Sequence, residues 1–193
     1  MPKLPCHDDK SVFEKLDPYK HNRTGFDCGS EALNNFIIKF ARQQQEKKLS
    51  VSYVATYPGL GPVKNIFGYY TISANAIRFE QIPNNFLRSI PQRYPIPTIK
   101  IGRLARDIWR TKPGFGSILL RDALYRCMFI SDAVGALAID VDAKNDVIAN
   151  YYREHGFIAL NDNPNSLIIA MKTVESTYSI YDKINHIQTH ELA

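Results

Sequence analysis

Apolar and polar residues alternate along Ser11–Leu16 (SVFEKL) and Ser50–Tyr57 (SVSYVATY), which predicts two strands, the second rich in β-formers. Between them, Leu33, Phe36, Ile37 and Phe40 recur at helical spacing behind the turn residues Asp27, Gly29 and Ser30. That pattern predicts a helix with these four residues on its apolar face. Asn65–Ile77 (NIFGYYTISANAI) reads as a further strand, paired with Ser50–Tyr57 as a hairpin across the turn PGLGP. Pro83, Pro91, Pro95 and Pro97 then bar long regular structure between Ile82 and Thr98, except for a short helix near Phe86–Ile90.

The second half changes period. Thr98–Ala105 (TIKIGRLA) predicts a strand, and a helix follows over Gly116–Ile130. Its expected apolar face is Ile118, Leu119, Ala123, Leu124, Cys127 and Met128. Ala136–Val141 is nearly continuously apolar, as a strand buried on both faces would be. NDVIANYYREHGF predicts a short helix stopped by Gly156, and Phe157–Ala159 and Leu167–Met171 predict two last strands. The order is strands first, then β-α-β-α-β, an α/β or α+β domain. The unit Thr98–Val141 is expected to be a right-handed crossover with parallel strands. Residues 1–175 are expected as one domain and 176–193 as a polar tail.

Composition narrows the class. The chain has 193 residues, 45% apolar and 22% charged, which is enough for a core. MPKLPCHDDK has no apolar run, and nowhere do apolar residues extend over the roughly 18 of a membrane span. A cytoplasmic protein is the expectation. Cys6, Cys28 and Cys127 are odd in number and form no CxxC pair, so free thiols are expected. His186 and His190 stand four apart without a third ligand, so no metal site is expected. The net charge of +5 suits an anionic ligand or nucleic acid without requiring either.

Chemistry concentrates in WRTKPGFGSILLRDAL, Trp109–Leu124. A glycine-bearing strand-loop-helix joint presents backbone N–H groups to an anion. Gly114 and Gly116 let a ligand approach, and Arg110 and Lys112 add positive charge. The residue three after Gly116 is Leu119, so the dinucleotide pattern G-x-G-x-x-G/A fails. Gly116 leads into Ser117 without lysine, so the P-loop pattern fails as well.

Together with NDVIANYYREHGF, this loop resembles the acetyl-CoA site of the GCN5-related N-acetyltransferases. Their Gln/Arg-x-x-Gly-x-Gly/Ala pattern falls on Thr111–Gly116, with Thr111 in place of Gln or Arg and Arg110 one residue earlier. Their second signature matches Asn145, Ile148, Tyr152, Gly156 and Phe157. FDCGSEALNNFIIKFARQQ, GYYTISANAI and IGRLARD are further similar to the acetyltransferase toxins of bacterial toxin–antitoxin modules. The resemblance spans about residues 11–172 and implies a mixed central sheet of six to seven strands flanked by helices. It implies acetyl-CoA as cosubstrate, aminoacyl-tRNA as acceptor, and translation as the process blocked. It also implies an antitoxin of ribbon-helix-helix type and homodimerisation.

Residue by residue, the resemblance implies that backbone at Leu104, Ala105 and Arg106 bonds the acetyl carbonyl and pantetheine. Arg110 and the loop Thr111, Lys112, Pro113, Gly114, Phe115, Gly116 and Ser117 would hold the pyrophosphate. Asn145 would bond the pantetheine arm, and Tyr152 would be the general acid. An unperturbed tyrosine near pKa 10 gives its proton to a thiolate near 8.5 at a cost of about 2 kcal/mol. Tyr152 is therefore expected either to donate a hydrogen bond or to have a lowered pKa. No general base stands out, though Asp27, Glu31 and Glu80 are candidates. Lys39, Arg42, Lys47, Lys48, Arg78, Arg88 and Arg93 are candidate contacts to tRNA phosphates. A same-fold enzyme acting on a small amine or protein N-terminus, or a catalytically weak CoA- or RNA-binding module, are the alternatives.

Overall fold

A computed structural model of the chain describes residues 11–57, 62–84, 86 and 94–179. The strands are β1 (Val12–Lys15), β2 (His21–Asn22), β3 (Val51–Thr56), β4 (Lys64–Asn65), β5 (Gly68–Ile77), β6 (Ile96–Arg106), β7 (Ala138–Asp142), β8 (Ile158–Ala159) and β9 (Ser166–Ala170). The helices are α1 (Glu31–Asn35), α2 (Ala41–Glu46), α3 (Phe115–Val134) and α4 (Asp146–Glu154). Residues 171–179 are also helical. Seven strands pair in the order β1-β3-β5-β6-β7-β9-β8, a mixed sheet as expected, and β2 with β4 forms a separate parallel pair.

The chain divides into two compact units. Among the described residues, one holds those up to Ala74 together with Lys100–Ala123, and the other holds those between Asn75 and Ile99 together with residues 124–179. In the first, Phe26 and Phe36 pack on Tyr69 at 5.4 and 6.0 Å between ring centroids, over a core that includes Val54 and Ala105. In the second, Ile77, Ile82, Ile96, Ala138, Leu160 and Ile168 make the core.

Several expectations change here. Phe36–Phe40 is a π-helical turn between α1 and α2. The wider turn carries one more residue than an α turn, so the buried face moves from Phe40 to Ala41. Phe40 is 49% exposed and Ala41 fully buried. Asn65–Phe67 lies outside β5, because Lys64–Asn65 pairs with β2 instead. β6 opens at Ile96, earlier than expected, with Pro97 exposed near its start, where a strand tolerates the missing N–H. On α3 the fully buried positions are Leu119, Leu120, Ala123 and Cys127, while Ile118, Leu124 and Met128 are half-buried. The short helix expected near Phe86–Ile90 falls largely outside the described residues. Helix 171–179 runs through the point where a polar tail was expected to begin.

Gly68 shows why α3 lies so close to β5. A Cβ there would stand 2.7 Å from Leu119 Cδ1 and 3.1 Å from Phe115 Cε1. The absence of a side chain lets the first turn of α3 seat Phe115, which is 4% exposed.

Candidate active site

β6 departs from strand regularity just before the glycine loop. A Cβ on Gly102 would meet Thr71 Oγ1 at 3.2 Å, and Ala105 packs in the same cluster as Tyr69. Tyr69 and Thr71 share one face of β5, so Gly102 and Ala105, three residues apart, share one face of β6. A two-residue period forbids that unless one extra residue intervenes, as in a β-bulge. The irregularity falls at Gly102–Arg103, because Arg103 already faces Phe36, which stacks on Tyr69. The Arg103 guanidinium lies 3.7 Å from the centroid of the Phe36 ring.

Asp107 follows β6 and is completely buried. Its Oδ1 accepts from the backbone N–H groups of Trp109 (3.0 Å) and Arg110 (2.9 Å). Its Oδ2 accepts from Asp27 N (3.2 Å) and Arg110 Nη1 (2.9 Å). Ile108 N donates to Asp27 O at 2.9 Å, so one carboxylate ties the end of β6 to the segment that opens α1.

This arrangement also engages Arg110. Its guanidinium donates to Asp107 and to the Gly25 carbonyl, and so serves the loop's own geometry. Thr111, where the family pattern has Gln or Arg, pins the turn: its hydroxyl donates to Asp107 O and accepts from Arg106 Nη1. Lys112, Pro113 and Gly114 are exposed. Phe115 N donates to Lys112 O at 3.2 Å and Ser117 N to Gly114 O at 3.0 Å, turning the chain into α3. Gly114 has φ +94°, and nothing stands within 4 Å of where a Cβ would be. A helix N-terminus whose approach is open and whose glycine takes a left-handed conformation fits a pyrophosphate.

Asp27, a candidate base, is committed to structural hydrogen bonds. Its carboxylate accepts from Gly29 N, Asn34 Nδ2 and Trp109 Nε1 at 2.9, 2.9 and 3.1 Å. Those three bonds hold its carboxyl below the usual carboxylate range. Glu31 and Glu80 are exposed. In the sequence Asp107 stands out only as the last residue of IGRLARD. The signal available was an acidic residue closing a strand just before a loop of unpaired N–H groups.

In the second unit, Asn145 caps α4: its Oδ1 accepts from Ile148 N at 3.0 Å. At the other end, Phe157 N donates to Tyr152 O (3.2 Å) and Gly156 N to Arg153 O (3.0 Å), with Gly156 at φ +91°. This is a Schellman stop, and its usual apolar contact is the Tyr152–Phe157 ring pair at 5.4 Å. The spacing Tyr-x-x-x-Gly-Phe thus encodes the helix end and fixes the tyrosine together. Tyr152 is 7% exposed. Burial, with Tyr151 adding to it, pushes its pKa up from the ordinary tyrosine value, so the lowered pKa considered from sequence is not found.

Lys39, Arg42, Lys47 and Lys48 are all exposed along the π turn and α2. Arg42 Nε is 3.2 Å from Glu46 Oε1. Arg78 is exposed in the other unit, and Arg88 and Arg93 lie outside the described residues.

No family model matches the chain. It is 29% identical over 174 residues to the probable toxin TacT of Sinorhizobium fredii, covering 86% of this chain and 94% of that protein. With the tRNA-acetylating toxin of Mycobacterium tuberculosis it shares 30% identity over 149 residues, 77% of this chain and 86% of that protein. The chain belongs to the family of tRNA-acetylating toxins. Among solved structures, a Tyr-to-Phe mutant of KacT superposes with a TM-score of 0.80 at 28% identity, over 88% of this chain and 99% of that one. AtaT complexed with acetyl-methionyl-tRNAfMet gives 0.78 at 29% identity, over 87% and 99%. A Tyr-to-Phe mutant of AtaT bound to acetyl-CoA and the C-terminus of the antitoxin AtaR gives 0.73 at 27%, over 88% and 99%. The fold is that of the GCN5-related acetyltransferases, as the two sequence signatures implied.

Proposed function

We propose that the chain transfers the acetyl group of acetyl-CoA to the α-amino group of aminoacyl-tRNA and thereby blocks translation. It is an acetyl-CoA-dependent N-acetyltransferase of the toxin family. The observation that carries the reading is the match, over nearly the whole of both chains, to a toxin solved with its acetylated aminoacyl-tRNA.

Acetyl-CoA supplies an acyl group activated as a thioester. Lys112–Ser117 holds its pyrophosphate at the start of α3, with Thr111 and Arg110 shaping the turn from behind. Backbone at Leu104–Arg106, re-aimed by the irregularity in β6, bonds the carbonyl and pantetheine. The amine nitrogen attacks the carbonyl carbon, and the C–S bond breaks. Tyr152 donates a hydrogen bond to the departing sulfur and keeps its proton, since its phenol is a weaker acid than the thiol and burial weakens it further. Asn145 has its Oδ1 committed to the helix cap, so a bond from its side chain to pantetheine comes from Nδ2. An α-amino group near pKa 8 loses its proton far more readily than a lysine near 10.4, so water suffices as base. Lys39, Arg42, Lys47 and Lys48 follow the acceptor stem through its phosphates.

An antitoxin is the expected partner, as AtaR is for AtaT; its ribbon-helix-helix type, a toxin homodimer and action in the cytoplasm are further parts of the proposal. Labelled acetyl-CoA tests the reading with three acceptors: charged tRNA, deacylated tRNA and a polyamine. Label is expected on charged tRNA alone. Preferential labelling of the polyamine would instead support the small-amine alternative.

A further inference from the structure

The chain has a single tryptophan, and it stands outside the core. Trp109 is 79% exposed, yet it is held at two points. Its backbone N–H donates to buried Asp107 Oδ1 at 3.0 Å, and its indole Nε1–H donates to Asp27 Oδ2 at 3.1 Å. Asp27 is itself fixed, through Gly29 N and Asn34 Nδ2 on Oδ1 and through its own N–H on Asp107 Oδ2. The ring is therefore oriented by hydrogen bonds along its edge and not by packing over its faces. A large apolar surface left in water but immobilised has already lost the freedom that binding would otherwise take from it.

We propose that Trp109 is a stacking platform for an unpaired nucleobase at the 3′ end of the acceptor RNA. This rests on the function proposed above. Single-stranded RNA ends present unstacked bases, and aromatic side chains are the usual surface that receives them. The choice of RNA follows from where the indole is anchored. Asp27 opens the segment that continues through α1 and the π turn to α2, and that segment carries the exposed cations Lys39, Arg42, Lys47 and Lys48. Phosphates tracked by those cations and a base stacked on Trp109 would belong to one polyanion. The adenine of CoA offers a similar π face, and the test separates the two.

As the only tryptophan, Trp109 reports on its own occupancy through fluorescence. An uncharged RNA hairpin ending in single-stranded CCA, the same hairpin with a blunt end, and CoA are titrated separately. The CCA hairpin is expected to quench, and the blunt hairpin and CoA are not. In steady state, Trp109→Ala is expected to raise KM for aminoacyl-tRNA about tenfold and Trp109→Phe much less, in line with aromatic stacking on a base. KM for acetyl-CoA stays within twofold of wild type in both variants, which also reports an intact fold. An aminoacyl-tRNA KM within twofold of wild type in Trp109→Ala, or quenching by CoA and not by the CCA hairpin, overturns the proposal. A wild-type protein that acetylates no aminoacyl-tRNA would instead reject the function, a separate outcome.

Discussion

Asp107→Asn is a sharp test of how the loop is built. The change preserves shape but leaves one acceptor oxygen where there were two. Asp107 Oδ1 serves Trp109 N and Arg110 N, while Oδ2 serves Asp27 N and Arg110 Nη1. Whichever way the amide turns, its NH2 faces two donors. One neutral hydrogen bond contributes about 1 kcal/mol, a bond to a charged group about 1.5–3 kcal/mol, and a stranded buried donor costs more. The side chain is fully buried and Arg110 is 40% exposed, so solvent relieves only the arginine. The expected loss is about 2–4 kcal/mol. In a domain of this size each kcal/mol lowers Tm by roughly 2–4 °C. Urea unfolding is expected to show a lower midpoint at unchanged m, together with weakened acetyl-CoA binding, because Thr111 hangs on the Asp107 carbonyl. A destabilisation below about 0.5 kcal/mol, the range of an ordinary surface change, would refute the claim that this carboxylate organises the loop.

Other outcomes follow from single contacts. Gly156→Ala is expected to cost about 1–2 kcal/mol, because φ is +91° while the nearest atom, Ile169 Cδ1, leaves room at 3.5 Å; chemical denaturation measures it. Lys48 occupies the left-handed position that ends α2, at φ 57°, with Leu49 N donating to Gln44 O. Lys48→Gly is expected to raise stability by about 0.5–1 kcal/mol while raising KM for tRNA, a split that a purely structural lysine would not give. Lys64 Nζ donates to Glu14 Oε1 at 2.5 Å and holds that carboxyl below its ordinary range, against opposing burial and with help from His21. A lowered folded pKa gives stability that is complete above the unfolded value of about 4.3 and is lost as pH falls through the folded one. The stability gap between wild type and Lys64→Met, measured by urea unfolding, is therefore expected to narrow from pH 6 to pH 3.

What the sequence made legible was local. Tyr152, Gly156 and Phe157 could be read because a Schellman stop is written within six residues, and the glycine loop because it is one strand-loop-helix joint. The misreadings arose where distant or hidden features decided. Phe40 was placed in the core because a π turn leaves no mark in periodicity. The structural role of Arg110 was hidden because its partner, the Gly25 carbonyl, is 85 residues away in sequence. Asn65 left its expected strand because β2, far upstream, pairs with it. Asp107 has no motif of its own; its importance lies in four donors that only folding brings together.

The central claim is acetylation of the aminoacyl group on tRNA, with Tyr152 assisting departure of the thiolate. Its most direct test is to incubate total charged tRNA and acetyl-CoA with wild type or Tyr152→Phe, release the esterified amino acids by mild base, and weigh them by mass spectrometry. The account predicts N-acetylated amino acid from the wild type. For Tyr152→Phe it predicts a rate lower by about 10²-fold with acetyl-CoA affinity retained. Acetyl groups on the RNA itself, or wild-type turnover in Tyr152→Phe, would contradict it.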